Sequence, residues 1–336
     1  MVTAADTGSW DGRRVLITGA AGFVGSWLTD TLADSGAHVR ALVGPAIGAF
    51  QRGALNRAGV EIVEGSVEDA AGIERLVRSA AVDSVFHLAA VNVNVGTSVS
   101  PFAIFETNIR GTYSVLEACR LNPRVERVVV ASSAEADDRA GLGQGGAAAP
   151  SRRKRHPYQV SKISAELVAQ AYSDTSGVPV AIARCDNIYG GRDLNWSRLI
   201  PGTIRSLLND RAPVLRSDGS LERDYVYVED MVRAYLALAA RLDDPAVRGG
   251  MFHFATGASA SVLSVVTRLS ELVGRPDLKP VVLNESAGER VNEPRSTERE
   301  RATLGWESRV DLTRGLTLTV DWYRRHVGRG SAVDEP

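Results

Sequence analysis

Short apolar runs alternate with longer amphipathic stretches through the first half of the chain. Runs rich in Val, Ile and Leu, typical of strands buried on both faces, cover residues 13–18, 38–43, 60–64, 82–88 and 125–132. Helical patterns separate them over residues 23–35, 70–80 and 101–121. Strands joined by helices in this way form an open parallel α/β sheet with right-handed crossovers. Ligands of such sheets bind at the carboxyl ends of the strands. We therefore expect the functional residues to follow Thr18, Val43, Leu88 and Ser132.

The second half of the chain has a different rhythm. A helical pattern runs from Tyr158 to about residue 176, and another apolar run covers residues 178–184. Turns become frequent after this point, which predicts a smaller lobe interleaved with the last elements of the sheet. We therefore expect a Rossmann-type doubly wound α/β sheet over residues 11–185 and a mostly substrate-binding α/β lobe over residues 186–327.

Composition excludes several classes of function. The 336 residues are 44% hydrophobic and 24% charged, as in ordinary globular proteins, and the net charge of -1 offers no basic field to nucleic acid or an anionic membrane. No apolar run reaches the ~18 residues of a membrane span, and the first residues do not resemble a signal peptide. Two cysteines make neither a disulfide framework nor a thiolate metal site. We expect a cytoplasmic, metal-free protein.

A glycine-rich turn, GAAGFVG, follows the first predicted strand. Gly19 permits a tight turn, Gly22 lets the backbone approach a pyrophosphate, and Gly25 allows close packing of helix on strand. The first N–H groups of the following helix bind anions. This pattern predicts a dinucleotide site. The second strand ends in LVGP, with no cation placed for a 2′-phosphate, and we interpret Arg40 as a surface residue; the sequence therefore favours NAD over NADP.

A tyrosine and a lysine one helical turn apart suggest proton transfer. Tyr158 and Lys162 share one face of a predicted helix. A free tyrosine has a pKa of ~10, and a nearby ammonium together with a cationic nicotinamide would lower it. Lysine stands at only three of the 39 basic positions, Lys154, Lys162 and Lys279, which sets Lys162 apart. His87, in VFHLAA, is interpreted as a packed histidine.

The motifs TGAAGFVG, VFHLAA, VVVASS and YQVSK together resemble the extended short-chain dehydrogenase/reductase family of NAD-dependent epimerases and dehydratases. The similarity runs from about Trp10 to Val327, and several segments look like CDP-glucose 4,6-dehydratases. This resemblance implies that Tyr158 takes a hydroxyl proton from a sugar while hydride passes to NAD. It also implies that Ser133 and Lys162 assist and that Glu135 removes a carbon-bound proton before water is lost.

The resemblance assigns binding residues as well. The residues implied for NAD are Gly19, Gly22, Phe23, Val24, Gly25, Ser66, Val67, Leu88, Ala89, Ala90 and Lys162. Those implied for the substrate are Asn187, Arg205 and Arg223, and Asp186 replaces a glycine of the relatives on the same side.

The chain departs from the family pattern at several positions. Ala134 replaces the aspartic acid that protonates the departing hydroxyl, so Glu135 alone, Asp186 or Cys185 would have to serve. Ser66 replaces an adenine-contacting aspartate. Other departures are Asp137 and Asp138 in place of a tyrosine–glycine pair, and Val291, beside Arg290 and near Arg295, in place of a diphosphate-binding arginine.

Three functions follow from these features. The leading hypothesis is an NAD-dependent dehydratase of a nucleotide sugar, or of a nucleoside that needs no diphosphate clamp, acting by 4,6- or exocyclic 5,6-dehydration. An epimerase needs no elimination acid, which suits Ala134. A catalytically silent NAD-binding regulatory protein is the alternative of another class.

The family resemblance also implies a homodimer. Its contact would be a bundle of the helices predicted at residues 101–121 and 158–176. The apolar side chains of Ile104, Val115, Leu116 and Val168 either line this contact or face the sheet.

Overall fold

The structure, a computed structural model, describes residues 10–45, 47–92, 99–136, 156–285 and 296–327. The strands in these ranges are β1 (Arg14–Thr18), β2 (His38–Val43), β3 (Val60–Glu64), β4 (Ser84–His87), β5 (Arg127–Ala131), β6 (Val180–Cys185), β7 (Asn187–Tyr189), β8 (Val214–Leu215), β9 (Glu222–Tyr227), β10 (Met251–Phe254), β11 (Ser259–Ser261) and β12 (Val281–Val282). The helices are α1 (Phe23–Asp34), α2 (Ala49–Leu55), α3 (Ala70–Ser79), α4 (Pro101–Phe105), α5 (Gly111–Arg120), α6 (Pro157–Ser176), α7 (Leu199–Leu208), α8 (Val228–Ala240), α9 (Val262–Val273), α10 (Glu298–Leu304) and α11 (Leu312–His326). A π-helical segment, Glu106–Arg110, joins α4 to α5, and a 3₁₀ turn, Ala134–Ala136, follows β5.

The main sheet is parallel throughout, in the order β10-β6-β5-β4-β1-β2-β3. Helices connect its first six strands in sequence, so the predicted doubly wound α/β fold is confirmed. β4 and β5 are shorter than the apolar runs that predicted them, and α2 is absent from the sequence prediction. The strands' carboxyl ends bring Thr18, His87 and Ala131 to one edge of the sheet.

Alternate side chains of the central strands enter two separate cores. On β1, Val15 and Ile17 join the cluster that includes residues of α1 and α8, whereas Leu16 joins residues of α5 and α6 on the other face. Both faces of the sheet are therefore covered. This double burial explains why these strands appear in the sequence as continuous apolar runs.

The smaller lobe is interleaved with the large sheet. It contains the sheet β11-β9-β7, the pair β12-β8 and a third apolar cluster around Tyr189, Leu269 and Tyr323. Between these pieces the chain returns to the main sheet, because α8 packs on β5 and β6 and β10 pairs with β6. The lobe thus begins where β6 ends and lies at the carboxyl edge of the sheet.

Contacts from α1 fix the lobe to the sheet. The indole Nε1 of Trp27 donates to the carbonyl oxygen of Gly191 at 2.9 Å. Arg192 lies over the Trp27 ring and donates to Asp30 Oδ2 at 2.6 Å. A Cβ atom on Gly191 would overlap the Trp322 ring, so this close approach requires glycine.

Apolar residues on the helices at residues 101–120 and 157–176 divide into two sets. Of the four apolar residues singled out in the sequence, Ile104, Val115 and Leu116 are buried within the chain, and Val168 is half-buried against the cluster that contains Leu16. All four therefore pack inside the chain. Another set faces solvent: Phe102, Tyr113 and Leu167 are 73%, 42% and 61% exposed.

None of the helices in the described ranges is long and apolar enough to cross a bilayer.

Candidate active site

The glycine turn after β1 has the geometry of a dinucleotide cradle. Gly19 has φ +71°, and a Cβ atom there would lie 2.7 Å from the Ala89 nitrogen. A Cβ on Gly25 would overlap the carbonyl oxygen of Gly19, so α1 can approach β1 only with glycine at this position. Gly22 is the exposed N-cap residue of α1, and its N–H donates to the carbonyl oxygen of Gly19 at 3.0 Å. Phe23 and Val24 form the first turn of α1, and the arrangement fits a pyrophosphate.

Neighbouring strand ends complete this cradle. Ala89 N–H donates to the Thr18 hydroxyl at 3.2 Å, which holds the segment Leu88 to Ala90 beside the glycine turn. Val67 is buried against Gly111, where a Cβ atom would overlap the valine side chain. The segment from Leu88 to Ala90 therefore lies close beside the glycine turn. This arrangement fits a cofactor that lies against main-chain atoms.

Ser66 and Asp69 have local roles at the start of α3. The Ser66 hydroxyl accepts the Glu68 N–H at 3.1 Å, and Asp69 caps the helix by accepting the Gly72 N–H at 2.9 Å. Ser66 is exposed, so its predicted contact with a cofactor stays a prediction. Arg40 forms an ion pair with Glu61 on the neighbouring strand, in agreement with its interpretation as a surface residue.

His87 is a structural residue. Its Nδ1 lies 2.7 Å from the Thr18 hydroxyl and its Nε2 lies 3.0 Å from the Thr112 hydroxyl, which itself donates to Asn108 O. Burial and the charge of Lys162 lower the pKa of His87 to about 3, so the ring is neutral. Because Thr112 uses its proton on Asn108, the ring carries its hydrogen on Nε2. These bonds tie β1, β4 and α5 together.

Tyr158 and Lys162 lie on the first two turns of α6. The helix begins at Pro157 and is capped by His156, whose Nδ1 accepts the Tyr158 N–H at 3.3 Å. Lys162 is buried, and its ammonium donates to the carbonyl oxygen of Ala131 at 3.0 Å, at the end of β5. The ammonium is 5.9 Å from the centroid of the Tyr158 ring. The pair predicted from the sequence therefore shares one face at the carboxyl edge of the sheet.

Burial lowers the pKa of Lys162 and so favours its neutral form. Loss of hydration lowers its pKa to about 8, and the opposing attraction of Cys185 and Glu166 only partly compensates. An ammonium that is easily neutralised and buried beside a phenol is typical of a functional site.

Ser133 and Glu135 meet Tyr158 from the turn that follows β5. Ser133 and Glu135 are both close enough to shift the pKa of Tyr158, Ser133 downward and Glu135 upward. The Ser133 hydroxyl also accepts the Glu135 N–H at 3.2 Å. Burial raises the pKa of Tyr158 above its usual value, and Glu135 and Cys185 raise it further. The four predicted catalytic residues thus converge.

The predicted lowering of the Tyr158 pKa by Lys162 together with a bound nicotinamide stays a prediction, because without the cofactor burial raises that pKa. Arg198 is a positive group that acts on Tyr158, and together with Ser133 it lowers the pKa against the larger upward effect of burial. The Lys162 ammonium instead uses a hydrogen bond on Ala131, below the phenol.

Arg198 is a site residue that the sequence reasoning missed. It directly precedes α7, is 40% exposed, and its Nη1 donates at 3.0 Å to Asp193, a buried carboxylate whose pKa burial raises. An arginine between a tryptophan and a helix carries no distinctive local pattern, so only its proximity to Tyr158 identifies it.

Asn108 was missed as well. Its amide group accepts the Val91 N–H at 2.7 Å and donates to Val91 O at 3.0 Å and to Ser161 Oγ at 2.9 Å. Ser161 in turn donates to Tyr158 O. Asn108 therefore connects the chain after β4 to the first turn of α6, and the π-helical segment places it there. A polar residue on a buried helix face is the signal that could have found it.

The predicted substrate residues lie where β6 ends and the smaller lobe begins. Asn187 donates to the carbonyl oxygen of Asp224 at 3.0 Å. Arg223 is half-buried on β9, and Arg205 stacks on Trp196 with 4.9 Å between the guanidinium carbon and the ring centroid. Asp186 is buried and paired with His253 Nε2 at 2.8 Å, so its carboxylate is already engaged. Binding of substrate by these residues stays a prediction.

Several sequence departures lie outside the described residues. They are Asp137, Asp138, Arg290, Val291 and Arg295.

Comparison with known proteins agrees with this geometry. The sequence pattern of the NAD dependent epimerase/dehydratase family matches residues 15–250. The UDP-glucose 4-epimerase of Mycolicibacterium smegmatis is 30% identical over 320 residues, which cover 93% of this chain and 98% of that enzyme. The CDP-glucose 4,6-dehydratase of Salmonella typhimurium is 28% identical over 338 residues, which cover 95% and 92%. The resemblance predicted from the sequence is confirmed at the level of the family.

Two further similarities concern length and fold. Trifunctional proteins of Arabidopsis thaliana, whose names begin with UDP-glucose 4,6-dehydratase, are 24–25% identical, and this chain spans about half their length, 47–48%. The crystal structure of a dTDP-glucose 4,6-dehydratase from Streptomyces venezuelae with NAD bound superposes with a TM-score of 0.78 at 27% identity, covering 93% of this chain and 97% of that one.

Gly19→Ala tests the cradle. The substitution places a Cβ against Ala89 in a left-handed backbone, so we expect a loss of about 1–3 kcal/mol in the free energy of unfolding and a large loss of NAD affinity. Denaturant unfolding and calorimetric titration with NAD measure both. Gly53→Ala, in open space on α2, is the matched control and should stabilise by up to ~1 kcal/mol without changing NAD affinity. Equal NAD affinity in both variants would contradict the cradle.

Lys162→Met tests the desolvation of the ammonium. The folded pKa is about 8 and the unfolded value is ~10.4, so between these values the unfolded chain binds more protons and wild-type stability rises with pH through this group. The variant lacks this gain. We therefore expect its melting temperature, relative to wild type, to be highest below pH 8 and to fall as the pH rises through this window. The exposed Lys279→Met should show no such trend, and a pH-independent difference for Lys162→Met would overturn the interpretation.

Proposed function

The chain belongs to the NAD dependent epimerase/dehydratase family, and from this premise we propose that it is an NAD-dependent dehydratase of a nucleotide sugar or a nucleoside. The observation that carries the proposal is the convergence of Ser133, Glu135 and Lys162 around Tyr158 at the carboxyl edge of the sheet. An epimerase needs the tyrosine, serine and lysine, whereas a dehydration also needs a carboxylate that can remove a carbon-bound proton.

NAD would be held by the glycine turn from Gly19 to Gly25 and by the backbone of Leu88 and Ala89, with Lys162 on the nicotinamide side. When bound, NAD supplies a hydride acceptor that later returns the hydride, together with a positive charge, so the net redox change is zero.

Tyr158 would take the proton of the sugar hydroxyl that becomes a ketone. Its environment raises its pKa, so the phenol holds its proton tightly until positive charge favours the phenolate. Ser133, which lies close to the Tyr158 side chain, would hydrogen-bond the same sugar oxygen. Lys162 contributes a compact cation that arginine, with its planar fork, would not replace.

Glu135 would carry out the elimination. The new ketone acidifies the adjacent C–H bond, and the Glu135 carboxylate removes that proton while the neighbouring hydroxyl departs. The departing hydroxyl must gain a proton to leave as water. Because Ala134 has no proton to give, Glu135 returns the one that it has just taken.

The two other candidate acids are poorly suited to this step. Burial raises the pKa of Cys185 to about 12, and its thiol donates to Ser132 O at 3.7 Å. Asp186 is held by His253. Glu135, which is exposed, is the group free to exchange protons with substrate and solvent.

Cationic side chains on the smaller lobe would anchor the substrate. Arg223, Arg205 and the newly identified Arg198 line the elements that follow β6, and guanidinium groups bind phosphates in bidentate fashion. Asn187 adds an amide. A nucleotide sugar uses such cations fully, whereas a nucleoside relies on the other polar contacts.

An epimerase is the second candidate, favoured by Ala134 and by the 30% identity to a UDP-glucose 4-epimerase. It would yield a product of unchanged mass and inverted stereochemistry.

Two variants test the separate roles proposed for Tyr158 and Glu135. In Tyr158→Phe we expect loss of both hydride transfer and water loss, by about 10²-fold or more, because no base accepts the hydroxyl proton. In Glu135→Gln we expect water loss to fall similarly while the reduced cofactor accumulates, because only the later step is blocked. Rapid mixing with substrate, read by nicotinamide absorbance and by product mass, separates the two. Glu126→Gln, an exposed partner of Arg13, is the control. Normal water loss in Tyr158→Phe would sink the mechanism.

We also propose that the protein is a homodimer. The exposed side chains of Phe102, Tyr113 and Leu167 lie on neighbouring helices, which are bridged by a Tyr172 to Glu117 hydrogen bond of 3.2 Å. Apolar side chains clustered on a helical face favour association, and a twofold axis lets one such face cover its own copy. A cytoplasmic location, expected from the composition, stays a prediction.

Leu167→Glu tests this contact. A charge in the middle of an apolar interface should convert dimer to monomer, as measured by light scattering after size exclusion. Leu318→Glu, a similar substitution on the exposed face of α11, should remain dimeric. A monomeric wild type, or a dimeric Leu167→Glu, would show that this face is not the interface.

A further inference from the structure

A buried carboxylate on the catalytic helix has no role in the proposed chemistry. Glu166 lies on α6 with its side chain 4% exposed. Its Oε1 accepts hydrogen bonds from Ser132 Oγ at 2.6 Å and from Arg184 Nε at 2.7 Å. Its Oε2 accepts one from Arg184 Nη2 at 2.5 Å. Both carboxylate oxygens therefore accept hydrogen bonds, from the residue that follows β5 and from a residue of β6.

These partners enclose the turn that carries the proposed base. Ser132 immediately precedes Ser133, and Arg184 Nη2 also reaches the carbonyl oxygen of Ala136 at 3.4 Å. The 3₁₀ turn Ala134–Ala136 is thus held at its start through Ser132 and at its end through Arg184. The carboxylate of Glu166 is common to both attachments.

Glu166 lies on the same face of α6 as the two proposed catalytic residues of that helix. Tyr158, Lys162 and Glu166 are spaced by four residues, so they follow one face of α6 over successive turns. Tyr158 lies close to Ser133 and Glu135, while Glu166, two turns further along α6, accepts a hydrogen bond from the hydroxyl of the neighbouring Ser132. Movement of the turn relative to the helix would alter both contacts together.

The same carboxylate acts on the buried lysine. Glu166 raises the pKa of Lys162 against the larger effect of burial, which lowers it. The opposite charge one turn below the ammonium therefore helps to keep it protonated.

We propose that Glu166 is a positioning residue, which through Ser132 and Arg184 holds Ser133 and Glu135 in register with Tyr158. This inference rests on the proposed function for the roles of Ser133 and Glu135, but the arrangement of the turn can be tested without substrate. The alternative is a buried ion pair that supports only the stability of the fold.

Glu166→Gln is the direct test. The amide keeps the shape of the side chain but cannot accept from Ser132 and from both Arg184 nitrogens, and it leaves the arginine without its counter-charge. We expect amide hydrogen exchange over residues 133–136 of the NAD-loaded protein to rise by roughly tenfold or more, since the Ala136 N–H to Ser133 O bond of 3.0 Å loses its support. Exchange in β1 and α1 should be unchanged.

Kinetics on the same protein give the second readout. We expect Glu166→Gln to lower kcat for water loss by about tenfold or more, with KM and NAD affinity little changed. We also expect reduced cofactor to accumulate after mixing with substrate, as in Glu135→Gln and unlike Tyr158→Phe. A purely stabilising role would not reproduce that signature. Glu74→Gln, which breaks the Glu74–Arg78 ion pair near the surface of α3, should change neither readout.

Ser132→Ala guards against a folding defect in the first variant. It removes one hydrogen bond to Glu166 and leaves the Arg184 pair intact, so the same two effects should appear at reduced size. Unchanged exchange over residues 133–136 in both variants would overturn the proposal, as would faster exchange throughout the protein without the cofactor signature. If wild type removes no water from any substrate, the proposed function fails, and the exchange measurement alone decides how the turn is held.

Discussion

The buried ammonium of Lys162 is the interaction on which the arrangement of this site depends. A cation removed from water must find oxygen acceptors and opposite charge, and here they are the carbonyl of Ala131 and the carboxylate of Glu166. These requirements fix the end of β5 against the second turn of α6. Because Ser133 and Glu135 directly follow that strand, the same constraint brings them to Tyr158.

The remainder of the architecture serves that edge of the sheet. Parallel strands align the glycine turn, the Thr18–His87–Thr112 hydrogen bonds and the end of β5 along one line. Within the smaller lobe's part of the chain, α8 packs on the main sheet and β10 pairs with β6. These contacts hold the lobe close to the ends of the strands. An oxidation, an elimination and a reduction need one bound cofactor and one bound substrate throughout. A cradle and a lobe fixed to the same sheet supply that condition.

Local patterns in the sequence were sufficient to predict the parallel sheet, the glycine turn and the tyrosine–lysine pair. In each case the physical cause is local: double burial makes strands such as Val15 to Ile17 continuously apolar, and a four-residue spacing places two side chains on one helix face. The sequence did not identify Arg198, Asn108 or the Glu166–Arg184 pair, because Arg198 acts on Tyr158, Asn108 on Ser161 and Glu166 on Arg184, each of them distant in the chain. The β10 strand is likewise defined by its partner β6 more than by its own four residues.

Incubation of the NAD-loaded protein with a panel of nucleotide sugars and nucleosides in ²H₂O, read by mass spectrometry, tests the dehydration most directly. A 4,6-dehydration gives a product that has lost one water and carries one solvent deuterium at the carbon deprotonated by Glu135, whereas an exocyclic 5,6-dehydration gives an alkene that has lost one water and carries no deuterium at that carbon. Neither reaction consumes NAD. A product of unchanged elemental composition, or no product from any member of the panel, would contradict it.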